Sequence, residues 1–231
     1  NQMRIKVNLP NINQSDFKFL PIDEKIINYG LGAIKGVGES AALHINEIRK
    51  QDGNFLDLNE FCARVNLNTV NSGTIEALIY SGCFDEITDK PRSYNIKNLQ
   101  NYISYGNKRQ TDQASGQNEL FSSSPVATSI EIKSILKDSK SLPSLNELTK
   151  ERKVLGYYLS SHPMVSYKNE LSDMKLKSVF EINNLILNNS NSKFNSTIAG
   201  VIIDSRSQKI GKSKFITIYK VDDGTQQINI S

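Results

Sequence analysis

The spacing of apolar and polar positions changes character several times along the 231 residues. Near the start, short apolar runs alternate with turns. RIKVNLP (4–10) and KIINYG (25–30) predict strands, and NINQSDFKFLPIDE (11–24) predicts the loop between them. From residue 31 the period becomes helical, with Ala41, Ile45 and Ile48 on one face. In FLDLNEFCARVNL, Asp57 predicts an N-cap and Glu60 completes a capping box ahead of the apolar stripe Leu58, Phe61, Cys62 and Val65. NSGTIEALIYSGCFD repeats the scheme: Asn71 caps, Ile75, Leu78 and Ile79 face inward, and Gly82 ends the helix. A longer helix is predicted over 92–108, with Ile96, Leu99 and Ile103 as its buried edge. Residues 31–105 therefore read as a domain of short packed helices.

From Gly106 the pattern loses its period. Residues 106–143 are polar and rich in Ser and Gln, which predicts a flexible linker. Only QNELF interrupts it, with Leu120 and Phe121 side by side in polar surroundings. Periodicity returns in LPSLNELTKERKVLGYYLSSHP, where Ser144 and Glu147 form a capping box. Leu145, Leu148, Leu155 and Leu159 mark the helix, and Pro163 helps to close it. A second short helix and an Asn-rich spacer extend this helical connector to residue 195. STIAGVIIDSRSQ and KFITIYKVDDG then alternate as antiparallel strands around the loop KIGKS, and QQINIS begins a third. Two or three strands cannot close a barrel, so residues 196–231 read as the beginning of one. The fold class is mainly α with a small β part.

Composition narrows this little. Net charge is +4 with a pI near 8.9, which permits nucleic-acid contact without demanding it. Mean hydropathy is −0.41 and the chain is 38% hydrophobic, ordinary for local cores. Cys62 and Cys83 have no CxxC spacing, and His44 and His162 are the only histidines, so the sequence predicts packed reduced thiols and no zinc site. No apolar run has membrane-spanning length, and NQMRIKVNLP has no secretory core. That opening reads as the interior of a longer protein.

The candidate chemistry lies in GLGAIKGVGESAALHI (30–45), where four glycines fall within nine positions at a helix entrance. A GxxxxGK[ST] phosphate loop is excluded because Lys35 precedes Gly36. A dinucleotide fingerprint fails on spacing and on its short-helix surroundings. The third reading is a helix-hairpin-helix, in which Lys35, Gly36, Val37 and Gly38 form a cradle for duplex DNA. Glycines let bare amides approach a phosphate at a helix N-terminus, Lys35 adds charge, and Val37 plugs into the core to stiffen the turn. A plain packing turn between helices is the competing explanation. The turn at Ser81, Gly82 and Cys83 predicts a second hairpin, since such modules work in pairs.

YGLGAIKGVGESA, FLDLNEFCARVNLNTVNSGTIEALIYSGCFD, QNELF and ERKVLGYYLSSHPM, in that order, resemble the C-terminal half of bacterial DNA polymerase III alpha subunits. The resemblance covers essentially the whole chain. It implies that 1–30 ends the fingers region, that 31–105 is a tandem helix-hairpin-helix domain riding on duplex, and that 196–231 opens an OB fold for single-stranded template. It further implies that Gln117, Leu120 and Phe121 match the QxxLF hook for the beta sliding clamp, with a greasy pair for a pocket and Gln117 at its rim.

The polymerase centre of that family, with its palm carboxylates and Mg2+, is expected N-terminal to this stretch. No catalytic residue, cofactor or metal site is therefore expected here, and Asp222-Asp223 reads as a strand-to-strand turn. Lys209, Lys212, Lys214 and Phe215 are candidates for a single strand, although alternation leaves open whether Phe215 is buried. His162-Pro163 and Tyr157-Tyr158 are assigned packing and helix termination, and Lys108-Arg109 solvated linker charge. The implied partners are duplex DNA, the clamp, single-stranded template and other replicase subunits, in the bacterial cytoplasm. The alternative is a stand-alone helix-hairpin-helix adaptor or repair protein that carries a clamp hook.

Overall fold

In a computed structural model, residues 5–114, 143–188, 194–210 and 214–231 are described. Packing divides the chain into one unit ending at Ser160 and a second beginning at Ser161. The first unit opens with a small sheet. β1 (Lys6–Asn8) lies parallel to β3 (Ile26–Asn28), and β2 (Leu20–Pro21) pairs antiparallel on the other side of β3. β2 falls inside the stretch predicted as loop, because two residues are too few to show an alternation.

Four short helices follow: α1 (Glu39–Asp52), α2 (Leu58–Arg64), α3 (Ser72–Tyr80) and α4 (Arg92–Lys97). Their N-caps are local chemistry. Asp57 accepts from the Glu60 amide at 2.9 Å and Asn71 from the Thr74 amide at 3.0 Å. Glu60 reaches back one residue further than a capping box requires, to the Leu56 amide. The core joins the opening segment to the helices, with Ile12, Tyr29, Leu31, Ile45, Phe61 and Leu78 in one buried cluster. Arg49 on α1 holds the 12–15 loop by donating to the carbonyls of Ile12 and Ser15.

The long helix predicted over 92–108 is two helices. Asn98 leaves helical geometry, and α5 runs from Leu99 to Ala114. No glycine or proline marks this break, so sequence punctuation could not show it. α5 also continues past Gly106, where the sequence reading starts the linker. A Cβ on Gly106 would meet the Cys62 carbonyl oxygen at 2.3 Å, so its absence lets α5 lie against α2. Gln110 then donates to the carbonyls of Cys62, Ala63 and Val65 at the end of α2. Lys108 and Arg109 consequently belong to a helix, with Arg109 placed 6.0 Å from the Tyr105 ring centre.

α6 (Leu145–Leu155) belongs to this first unit. Ser144 and Glu147 form the predicted capping box. Glu147 also accepts from the Ser93 amide at 2.9 Å. Burial pushes the Glu147 carboxyl up, but the donors from Ser93 and Ser144 outweigh it and hold the group below its ordinary value. Deeper in, Arg92 donates to Glu151 at 2.7 Å, to Asp85 at 2.6 Å and to the Tyr80 carbonyl at 3.1 Å. Glu151 is fully buried and takes further donors from the amides of Leu159 and Ser160. This closed set of partners makes a buried ion pair tolerable.

The second unit holds a 3-10 turn (Pro163–Tyr167), α7 (Lys168–Leu171), α8 (Val179–Asn188) and a meander of β4 (Val201–Ile210), β5 (Lys214–Asp222) and β6 (Gln227–Ile230). The strands are antiparallel in the order β4-β5-β6, with an irregular register between Ile202 and Asp204. His162 caps the 3-10 turn by accepting from the Met164 amide, and Pro163 is buried, so the pair serves packing and helix initiation. The mainly α fold with a small β part agrees with the sequence reading.

Candidate nucleic-acid interface

The glycine cluster forms an open bend. A single 3-10 turn (Leu31–Ala33) precedes it and α1 begins directly after Gly38. Ile34 and Val37 are buried and fix the bend from below, while Lys35, Gly36, Gly38, Glu39 and Ser40 are exposed. Val37 is therefore the predicted plug. Its amide donates to the Ile34 carbonyl at 3.0 Å, and that of Lys35 to Val154 of α6 at 2.8 Å. Among the described residues, the amides of Gly36 and Gly38 have no protein acceptor. The first amides of α1 extend this open set, as every helix start must.

The two glycines are needed for different reasons. Gly36 has φ +100°, a conformation that penalises any side chain, and its carbonyl accepts from Thr74 of α3 at 3.2 Å. Gly38 has an ordinary φ of −76°, and nothing lies within 4 Å of the position its Cβ would take. Internal packing therefore does not require a glycine there. The space there is open, next to the free amides of the bend. Those amides and the dipole of a 14-residue helix favour an anion, and Lys35 adds a positive charge. Glu39, in the first turn, opposes one.

The turn at 81–83 has the opposite character. Ser81, Gly82 and Cys83 are buried. Gly82, at φ +84°, ends α3 in a left-handed cap whose amide donates to the Ile79 carbonyl, while that of Cys83 donates to Leu78. The Arg92 guanidinium lies over Gly82, 2.3 Å from where a Cβ would be. In place of the expected second open hairpin, the structure has a closed cap with its amides spent, and these residues offer nothing to a phosphate.

The corner most like the first bend is the one between α2 and α3. Val70 is buried, as Val37 is, and Asn71 caps a second exposed helix start at Ser72 and Gly73. The Thr74–Gly36 hydrogen bond sets this start beside the first bend. Sequence reasoning missed it because LNTVNS has no glycine at the corner; the available signal was the apolar residue directly before an N-cap.

Other candidates separate cleanly. Cys62 and Cys83 are free and buried, and burial pushes each thiol up to about 12, so both are inert packing groups at neutral pH. Asp222 and Asp223 are occupied by their own turn. Asp223 accepts from the amides of Val179, Thr225 and Gln226, and Asp222 from Gly224. Burial raises the Asp223 carboxyl and these donors overcome it, leaving it below its ordinary value. Such spoken-for carboxylates do not fit a Mg2+ site, and among the described residues no cluster of His, Cys, Asp or Glu could hold a metal.

Lys209 faces Phe215 across the β4–β5 pair, with Lys214 beside it, and Phe215 is 68% exposed rather than buried by alternation. Phe215 shares a strand face with Thr217 and Tyr219. Lys212, Gln117, Leu120 and Phe121 lie outside the described residues. Among the described residues, no helix is long and apolar enough to cross a membrane.

Comparison with known proteins agrees with the geometry. Residues 4–94 match the helix-hairpin-helix motif family. Over 99% of its length the chain is 31% identical to the DNA polymerase III subunit alpha of Pseudomonas fluorescens. Over its whole length it is 34% identical to that of Pasteurella multocida and 32% identical to that of Haemophilus influenzae. The chain spans about a fifth of the length of these relatives.

Proposed function

The chain belongs to the bacterial DNA polymerase III alpha family, and from that premise we propose that its first unit grips duplex DNA by the phosphates at the Lys35–Gly38 bend. The observation that carries this is the exposed helix start at Gly38, with open space at its Cβ position and, among the described residues, no protein acceptor for the Gly36 and Gly38 amides. Amides and a helix dipole recognise charge without reading bases, so the grip is independent of sequence and lets the protein ride along the product. The start of α3 supplies a second set of amides beside the first.

The whole subunit is a DNA-directed DNA polymerase, with nucleotidyl transfer at Mg2+ and carboxylates outside this stretch, working in the cytoplasm at the nucleoid. Gln117, Leu120 and Phe121 hook the sliding clamp. Tethering to a ring that stays on DNA turns re-binding into an intramolecular step at roughly millimolar effective concentration. A weak phosphate grip and a weak hook then suffice together for processive synthesis. Lys209, Lys212, Lys214 and Phe215 follow the single-stranded template.

Two variants test the two grips separately. Gly36→Val with Gly38→Val should weaken duplex binding about tenfold or more and leave capture by the clamp intact. Leu120→Ala with Phe121→Ala should do the reverse. Parental duplex binding should fall steeply with salt and ignore base sequence. If each pair behaved as the parent in both assays, neither site assignment would stand.

A further inference from the structure

The bend has an aromatic neighbour that the phosphate grip does not use. The bond from the Lys35 amide to Val154 brings the C-terminal end of α6 against the bend. Just beyond, Gly156 turns the chain at φ +89° and Tyr157 follows. Tyr157 packs against Tyr29 with ring centres 6.4 Å apart, and Tyr29 packs edge-on against Phe19 at 4.8 Å. Tyr29 is buried at the middle of this row, whereas Phe19 and Tyr157 at its ends are 47% and 41% exposed. Gly30 lies close against the backbone of Lys18 and Phe19, so the buried segment 28–31 joins the row to the bend.

The row is also held in place. Tyr157 is packed against the buried Tyr29 ring, and burial first and the charge of Tyr157 next push the Tyr29 hydroxyl up. A ring fixed in this way loses little freedom on stacking. Lys18, next to Phe19 in the chain, Lys35 on the bend and Lys153 near the end of α6 are all exposed. Exposed rings near lysines, joined through α6 and the 28–31 segment to an open helix start, suit the face and backbone of an unpaired nucleotide.

We propose that Phe19 and Tyr157 stack an unpaired base of the DNA held at the bend, so that this chain prefers duplex carrying a single-stranded tail to blunt duplex. This rests on the phosphate grip described above and adds a base contact to it. The test uses the full 231-residue chain with two duplexes of equal length, blunt or with a short tail carrying 2-aminopurine. The tail should raise affinity about tenfold, and binding should quench the probe. Phe19→Ala and Tyr157→Ala should each reduce that preference and the quenching while leaving blunt-duplex affinity within about twofold. Tyr157→Phe should keep both, because the ring remains. Equal, salt-sensitive binding of blunt and tailed duplex would overturn the base contact and leave the grip standing. Failure of both duplexes to bind would overturn the grip and the base contact together.

Discussion

Two glycine turns in this chain look alike on paper and differ in every physical respect that matters to a ligand. The Lys35–Gly38 bend is exposed, with the Gly36 and Gly38 amides free of protein acceptors among the described residues. The Ser81–Cys83 turn is buried, its amides are spent on Ile79 and Leu78, and an arginine covers it. One turn precedes a helix and the other ends one. A helix start leaves donors over and a helix end leaves acceptors over, so only the first can hold a phosphate. The same residue type thus leaves amides open in one place and reverses the chain in the other.

Three substitutions would break or sharpen this contrast. The largest effect is expected from Arg92→Ala, which strands the fully buried Glu151 without its cation. It should cost about 3–5 kcal/mol in thermal or urea unfolding. Next, Gly82→Ala forces a side chain into φ +84° and against the Arg92 guanidinium. About 2 kcal/mol of stability should be lost, while duplex affinity of the folded protein stays as it was. A drop in affinity at unchanged stability would instead restore the 81–83 turn as a DNA site. The smallest effect lies at the open bend. Glu39→Gln removes a negative charge beside the cradle and should tighten duplex binding about twofold in low salt, at a cost of about 0.5 kcal/mol to α1.

What the sequence disclosed was local. Asp57, Asn71 and Ser144 announced their caps because the donor and acceptor lie three residues apart. Val37 was legible as a plug because it sits between two glycines. The helix break at Asn98 was not, since that residue carries no strong signal against a helix. Gly106 was misleading, because it signalled loop in the sequence and serves close packing in the fold. The second open corner, at 66–72, was hidden for lack of a glycine. Least visible was the pairing of Arg92 with Glu151, 59 residues apart. A contact of that separation leaves no trace in any periodicity, yet it holds the guanidinium that covers the 81–83 turn.

α5 and α6 flank residues 115–142, and both belong to the first unit. α5 ends at Ala114 and α6 begins at Leu145, and contacts within the first unit join the two sides. A protease cut anywhere in between would therefore not release two separate halves. The Arg92–Glu151 pair, the Ser93–Glu147 bond and the Lys35–Val154 bond span the gap. Nicked protein should run as two bands on a denaturing gel and elute as one particle from a sizing column.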